Sequence, residues 1–98
     1  MRFEIVLAPG AVQDLRNLRA FERGQVRDAI EEFLRHAPTR VSQSRIKRLR
    51  RLRQPQFRLR VGNIRVFYDV TETTVQVLAI VSKEQAQDWL AQESTPET

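Results

Sequence analysis

The chain reads as an α+β fold with the order β-α-α-β-β-β-β-α, an antiparallel sheet whose one face is covered by the helices, a helical hairpin among them. Three observations lead there. Apolar residues recur at helical spacing from Val12 to Leu34. From Phe57 onward the period switches to two, the spacing of strands with one buried face. Ser82, with Gln85 three residues on, then carries the signature of a helix N-terminus.

Each element follows in turn. Arg2 to Leu7 is rich in strand formers and predicts a first strand, ended by Ala8-Pro9-Gly10. Pro9 suits the first turn of a helix, where its missing N–H costs nothing. Val12, Leu15 and Leu18 make one apolar stripe to about Arg19. Phe21 and Gly24 mark a turn. Val26, Ile30, Phe33 and Leu34 predict a second helix over 22–36, closed by Pro38. Ile46 to Arg53 fits either a helical turn, through Leu49 and Leu52, or a short basic strand. Phe57 to Val61 alternates strictly, Gly62-Asn63 is a two-residue turn signal, and Ile64 to Val70 alternates again. Thr71 to Thr73 turns the chain. Thr74 to Val81 is an apolar, β-branched run and reads as a central strand. Ala86, Trp89 and Leu90 form the apolar side of the last helix. Residues 1–91 make one domain, and the polar tail 92–98 is expected to be disordered.

Composition bounds the chemistry. Ninety-eight residues with 41% hydrophobic side chains suffice for one modest core. Without cysteine there is no thiolate nucleophile or disulfide. One histidine, His36, excludes a histidine-rich metal site, so neither metal nor cofactor is expected. No apolar run approaches the ~18 residues of a membrane span, and the start is not a signal peptide. A cytoplasmic protein without membrane contact is the expectation.

The net charge of +5 is concentrated. Residues 40–65 hold ten basic side chains and no acid, while the rest of the chain holds seven basic residues and all twelve acids. Solvated charged faces usually mix signs. A field of one sign calls for a polyanion or an acidic protein partner.

A two-residue loop at Gly62-Asn63 fixes the register of the hairpin around it. Val61 then faces Ile64, Arg60 faces Arg65, Leu59 faces Val66, Arg58 faces Phe67 and Phe57 faces Tyr68. Alternation puts Phe57, Leu59, Val61, Ile64, Val66 and Tyr68 on the core side. It puts Arg58, Arg60 and Arg65 on the solvent face. Like charges directly opposite each other destabilise a sheet by up to ~1 kcal/mol. A phosphate chain across that face would offset the repulsion, because each guanidinium presents a planar fork to phosphate oxygens.

The segment Phe57-Arg58-Leu59-Arg60-Val61-Gly62-Asn63-Ile64-Arg65-Val66-Phe67-Tyr68 resembles the core of the RelE/ParE toxin superfamily of bacterial toxin–antitoxin systems, closer to RelE. Ala11, Leu15 and Leu18 after the first strand extend the resemblance. So does Val77-Leu78-Ala79-Ile80 before the last helix, and together they take it over nearly all of residues 1–91. The resemblance implies a RelE-like fold and a small basic toxin held inactive by a cognate antitoxin. RelE-like members cut mRNA on the ribosome, through attack of the RNA's own 2′-hydroxyl on the adjacent phosphate, without metal or protein nucleophile. It implies that Arg58, Arg60, Arg65 and Lys83 act on the scissile phosphate. Lys47, Arg48, Arg50, Arg51 and Arg53 are the candidate RNA-binding residues beside them.

RelE-like enzymes also carry a tyrosine in the C-terminal region. Here Tyr68 falls on the core side, and the terminal helix offers Gln87 or Trp89, the latter suited to packing. His36 suits a cation at a helix C-terminus better than a general base. Asp69 reads as a solvated strand-end carboxylate. Two alternatives stand beside the nuclease: a ParE-like inhibitor of DNA gyrase that cuts nothing, and a plain RNA-binding module. The last would interleave aromatics with the basic residues, and residues 40–53 have none.

Overall fold

The computed structural model describes residues 1–97. Its elements are β1 (Glu4–Leu7), α1 (Pro9–Asn17), α2 (Ala20–Ala29), β2 (Ile46–Arg48), β3 (Leu52–Gln54), β4 (Phe57–Val61), β5 (Ile64–Val70), β6 (Thr74–Ser82), α3 (Lys83–Glu93) and β7 (Thr95–Pro96). A π-helical stretch, Ile30–Leu34, continues α2. Five strands form one sheet in the order β1-β6-β5-β4-β2, and β3 pairs with β7 in a separate two-stranded ladder. Pairing in the main sheet is antiparallel except that β1 runs parallel to β6. The α+β fold is the expected one.

The sheet has two unlike faces. Phe57, Leu59, Val61, Ile64, Val66 and Tyr68 line the core side with Val75, Val77 and Ile80, against Ala11 of α1 and Val26, Ala29, Ile30 and Leu34 of α2 and its extension. Each of these is under a tenth exposed, so apolar burial is the main stabilising term here. Tyr68 stacks on Phe57 with ring centroids 5.5 Å apart and donates its hydroxyl to Pro38 O at 2.7 Å. Its phenol is thereby spent on fixing the chain after α2, and burial pushes its pKa far upward.

Four elements differ from the sequence-based expectation. The turn between the first two helices lies at Leu18-Arg19, and α2 runs through Phe21 and Gly24. The Arg23 guanidinium explains the earlier start. It donates to Leu18 O at 2.7 Å and so occupies a carbonyl at the end of α1. Residues 46–53 are two short strands rather than one, because the chain turns at Arg50-Arg51 and Arg51 adopts a φ of 66°. The last helix covers the opposite face of the sheet from α1 and α2, with Trp89 stacked on Phe67 at 4.9 Å and 7°. Finally, residues 92–97 of the expected disordered tail are placed. α3 extends to Glu93, and Thr95-Pro96 pairs with β3, whose edge has no neighbour in the main sheet. Thr98 lies outside the described residues.

Candidate functional site

The site grows from the β4–β5 hairpin. Gly62 holds a φ of 57°, the left-handed conformation the tight turn requires and glycine takes without penalty. The register is Phe57↔Tyr68, Arg58↔Phe67, Leu59↔Val66, Arg60↔Arg65 and Val61↔Ile64. Arg58, Arg60 and Arg65 therefore share the face that α3 partly covers. β2 adds a fourth cation. Its register on β4 is Ile46↔Leu59, Lys47↔Arg58 and Arg48↔Phe57, so Ile46 enters the core and Lys47 stands beside Arg58.

The three arginines occupy different environments. Arg60 is exposed and Arg58 half-buried. Arg65 is only 9% exposed, which corrects its expected place on an open solvent face. Its guanidinium turns back on the hairpin, where Nη1 donates to Gly62 O at 2.8 Å and Ile64 O at 3.1 Å. Burial holds the Arg58 pKa below the usual arginine value, and the charges of Arg65 and Arg60 lower it further. Burial likewise lowers Arg65, with Arg60 acting in the same sense and Glu84 in the opposite one. Both remain cations at any working pH. The meaning of the shifts is that their charge is costly in place and an anion would relieve that cost. Arg58 Nε is buried with no hydrogen-bond partner among the described residues.

Neighbouring elements hold this face in position. Arg45 and Arg60 are tied by Arg60 N–H to Arg45 O at 2.8 Å and by Arg45 Nη1 to Arg60 O at 3.1 Å, while the Arg45 guanidinium lies 5.0 Å from the Phe33 ring. Lys83 N–H donates to Asn63 O at 2.7 Å, which sets Lys83 beside the turn end of the face. Ser82 accepts from Gln85 N–H at 3.2 Å and caps α3 as expected. Asp14 of α1 accepts from Ile80 N–H at 2.9 Å, where the β5–β6 register shifts near Phe67 and Tyr68. Sequence reading gave no sign of Arg45 or Asp14, whose partners are distant in the chain. Lys47 could have been placed on the face from the Ile46-Lys47-Arg48 alternation alone.

The candidate RNA-binding residues divide into three places. Lys47 joins the arginine face. Arg48 points to the core side, with its guanidinium 5.2 Å from the Phe57 ring and Nη1 donating to Gln56 O at 2.8 Å. Arg50, Arg51 and Arg53 lie outside the main sheet, in the turn and in β3.

The remaining titratable candidates lie apart from the cluster. His36 Nδ1 is 3.1 Å from Met1 O, at the β1 edge of the sheet. Asp69 accepts from Gln54 Nε2 at 2.6 Å and Gln56 N–H at 2.8 Å, so it joins the links before β4 rather than standing in solvent. Among the described residues no group of acids and histidine is arranged to hold a metal ion. No helix among them is long and apolar enough to cross a membrane. What the face offers is concentrated positive charge on a rigid hairpin, suited to binding phosphate and to stabilising charge that grows on it.

Comparison with known proteins agrees with this architecture. A family model described as the ParE toxin of the type II toxin–antitoxin system parDE matches residues 5–87. The toxin–antitoxin complex RelBE2 from Mycobacterium tuberculosis contains a chain 26% identical, with a TM-score of 0.72, covering 84% of this chain and 99% of that one. The RelB–RelE complex from Methanococcus jannaschii gives 21% identity and a TM-score of 0.67, covering 86% and 96%. The RelE–RelB complex from Pyrococcus horikoshii gives 16% and 0.60, covering 85% and 97%. At those last two identities the likeness concerns the fold alone. No curated protein matches the sequence.

Proposed function

This chain belongs to the ParE toxin family of type II toxin–antitoxin systems, and on that premise we propose that it is a toxin that cuts mRNA on translating ribosomes. The observation that carries the reading is the face formed by Lys47, Arg58, Arg60 and Arg65, two of whose arginines are drawn out of water beside like charges. In the proposed step the RNA 2′-oxygen bonds to the adjacent phosphorus and the bond to the 5′-oxygen breaks. The proton leaves the 2′-hydroxyl for solvent, and the departing oxygen takes one up. Negative charge rises on the phosphoryl oxygens as the fifth bond forms. Arg58, Arg60 and Arg65, with Lys83 at the turn end, are assigned to stabilise it. Donors of this type, fixed in advance, are worth about 3 kcal/mol each in a transition state.

The family match itself favours a second reading, a ParE-like toxin that binds DNA gyrase without cutting nucleic acid. The same cationic face would then serve for binding alone. Primer extension on mRNA from cells expressing the chain separates the two. Cuts that require translating ribosomes are expected. Intact mRNA together with trapped gyrase–DNA complexes would establish the second reading instead. In either case the proposed partner is a cognate antitoxin that covers the basic surface, as the similar chain from Mycobacterium tuberculosis lies in a toxin–antitoxin complex.

A further inference from the structure

The π-helical stretch Ile30–Leu34 turns Ile30 and Leu34 into the core and leaves Phe33 half-buried. The chain then reaches β2 without a further helix or strand. Ser42 Oγ fixes the end of that loop by accepting from Arg45 N–H at 3.0 Å and Ile46 N–H at 3.2 Å. A cavity of about 380 Å³ lies between the loop and the helix end. Phe33, Ala37 and Ile46 make its apolar wall, and Arg40, Arg45 and a single acid, Glu32, its polar one. The Arg45 guanidinium lies over the Phe33 ring, 5.0 Å from the centroid. A second hollow of about 290 Å³ is lined by Ser44, Arg45, Arg60 and Gly62. Ser44 and Arg45 line both, so the hollows adjoin and lead from Arg60, on the arginine face, to the Phe33 ring.

We propose that this groove is a nucleotide subsite, in which the Phe33 ring and the Arg45 guanidinium form a stacking platform for one base of a single-stranded RNA. The inference rests on the proposed function in one respect, that the RNA phosphate chain lies on the arginine face. Both members of the platform are flat, and bases stack on aromatic rings and on guanidinium planes alike. The Arg45 side chain is already held in place, since its Nη1 donates to Arg60 O at 3.1 Å. A base stacked there therefore loses little to ordering the protein. Residues 40–53 contain no aromatic, and the fold supplies one from the end of α2 instead. An apolar side chain of a protein would fill the wall of Phe33, Ala37 and Ile46. It would leave the cations beside that wall without a partner. A nucleotide joins a flat ring to a negative phosphate and so answers both walls at once.

The test measures binding of the full chain to a fluorescent six-nucleotide strand of 2′-O-methyl adenosine, whose blocked 2′-oxygens cannot react. The comparison strand has the same phosphates and no bases. Wild type is expected to bind the intact strand at least tenfold more tightly than the abasic one. Phe33→Leu keeps an apolar side chain and removes the flat ring. It should weaken the intact strand by about tenfold and leave the abasic strand unchanged. Phe33→Trp should preserve the preference for bases. Arg45→Lys keeps the charge and gives up the plane, and it too should weaken the intact strand alone. Equal affinity of wild type for the two strands overturns the subsite and leaves the cavity to a protein side chain. A preference for bases that survives both Phe33→Leu and Arg45→Lys overturns it as well, since the bases would then stack elsewhere. Failure of wild type to bind either strand overturns the subsite together with the RNA reading on which it rests.

Discussion

Arg65 shows how much one side chain can depart from its pattern. Alternation assigns its face correctly and its exposure wrongly, because periodicity says where Cβ points and not where a long side chain folds. Its guanidinium satisfies the carbonyls of Gly62 and Ile64, so it holds the hairpin turn as well as contributing charge. Arg65→Ala is therefore expected to destabilise the protein by about 1–2 kcal/mol, the worth of hydrogen bonds from a charged group less some relief of repulsion. Arg60→Ala, exposed and directly opposite, should leave stability unchanged or raise it by a few tenths of a kcal/mol. Both should lower ribosome-dependent cleavage by on the order of a hundredfold, about 3 kcal/mol. Thermal melts set beside cleavage rates distinguish the two roles. An Arg65→Ala protein that melts like wild type would show that the turn does not need the guanidinium. A second residue-scale prediction concerns Glu31, whose carboxyl is hydrogen-bonded by Arg35 and held below its usual 4.5. A carboxyl lowered in the folded state adds stability above its unfolded value and loses it as pH falls through the folded one. Glu31→Gln should thus melt below wild type at pH 7. The gap should narrow from about the usual 4.5 downward and close below the lowered value, in melts taken from pH 7 to pH 2.

The elements divide by how local their causes are. The hairpin was legible residue by residue, since a two-residue turn and strict alternation leave one register open. The Ser82 cap and the apolar side of α3, Ala86, Trp89 and Leu90, were legible for the same reason. Which face α3 would cover was not. That choice rests on Trp89 meeting Phe67, twenty-two positions away, and no period in the sequence records it. β3 was illegible because nothing at Arg50-Arg51 signals the turn that separates it from β2, and the two residues of β7 carry no alternation to detect. Docked so sparingly, α3 should behave as a unit that opens before the sheet. None of its residues is fully buried, and its attachments are the Trp89–Phe67 stack, the Lys83–Asn63 bond and the β7 ladder beyond it. Phe67→Leu should speed hydrogen exchange in α3 while leaving β5–β6 amides protected, and it should shift Trp89 fluorescence to the red. Uniform deprotection of sheet and helix would mean that α3 is part of the global core.

At the scale of the molecule, charge is sorted by position along the chain, and the fold keeps it sorted in space. The run from Arg40 to Arg65 becomes β2, the turn at Arg50-Arg51, β3, β4 and the start of β5, while α2 with its extension carries Glu22, Asp28, Glu31 and Glu32 on the other side of the core. The sequence showed the imbalance and its extent, but not that the cations fall into two surfaces. One is the arginine face with Lys47, and the other is the turn holding Arg50 and Arg51. They should separate in a salt titration of single-stranded RNA binding. Affinity for a polyanion falls as salt rises, with a slope of about 0.7 per phosphate contact on single strands. Lys47→Ala stands beside Arg58 and should reduce both the slope and the cleavage rate. Arg50→Ala and Arg51→Ala should each reduce the slope by about one contact and leave cleavage at saturating RNA within about twofold. The distinction follows from geometry: a charge beside the reacting phosphate acts on the transition state, whereas one that meets a distant phosphate contributes equally to ground and transition states and cancels from the rate. Cleavage lost on changing Arg50 and Arg51, with Lys47→Ala unaffected, would move the reacting phosphate off the hairpin and onto the Arg50-Arg51 turn.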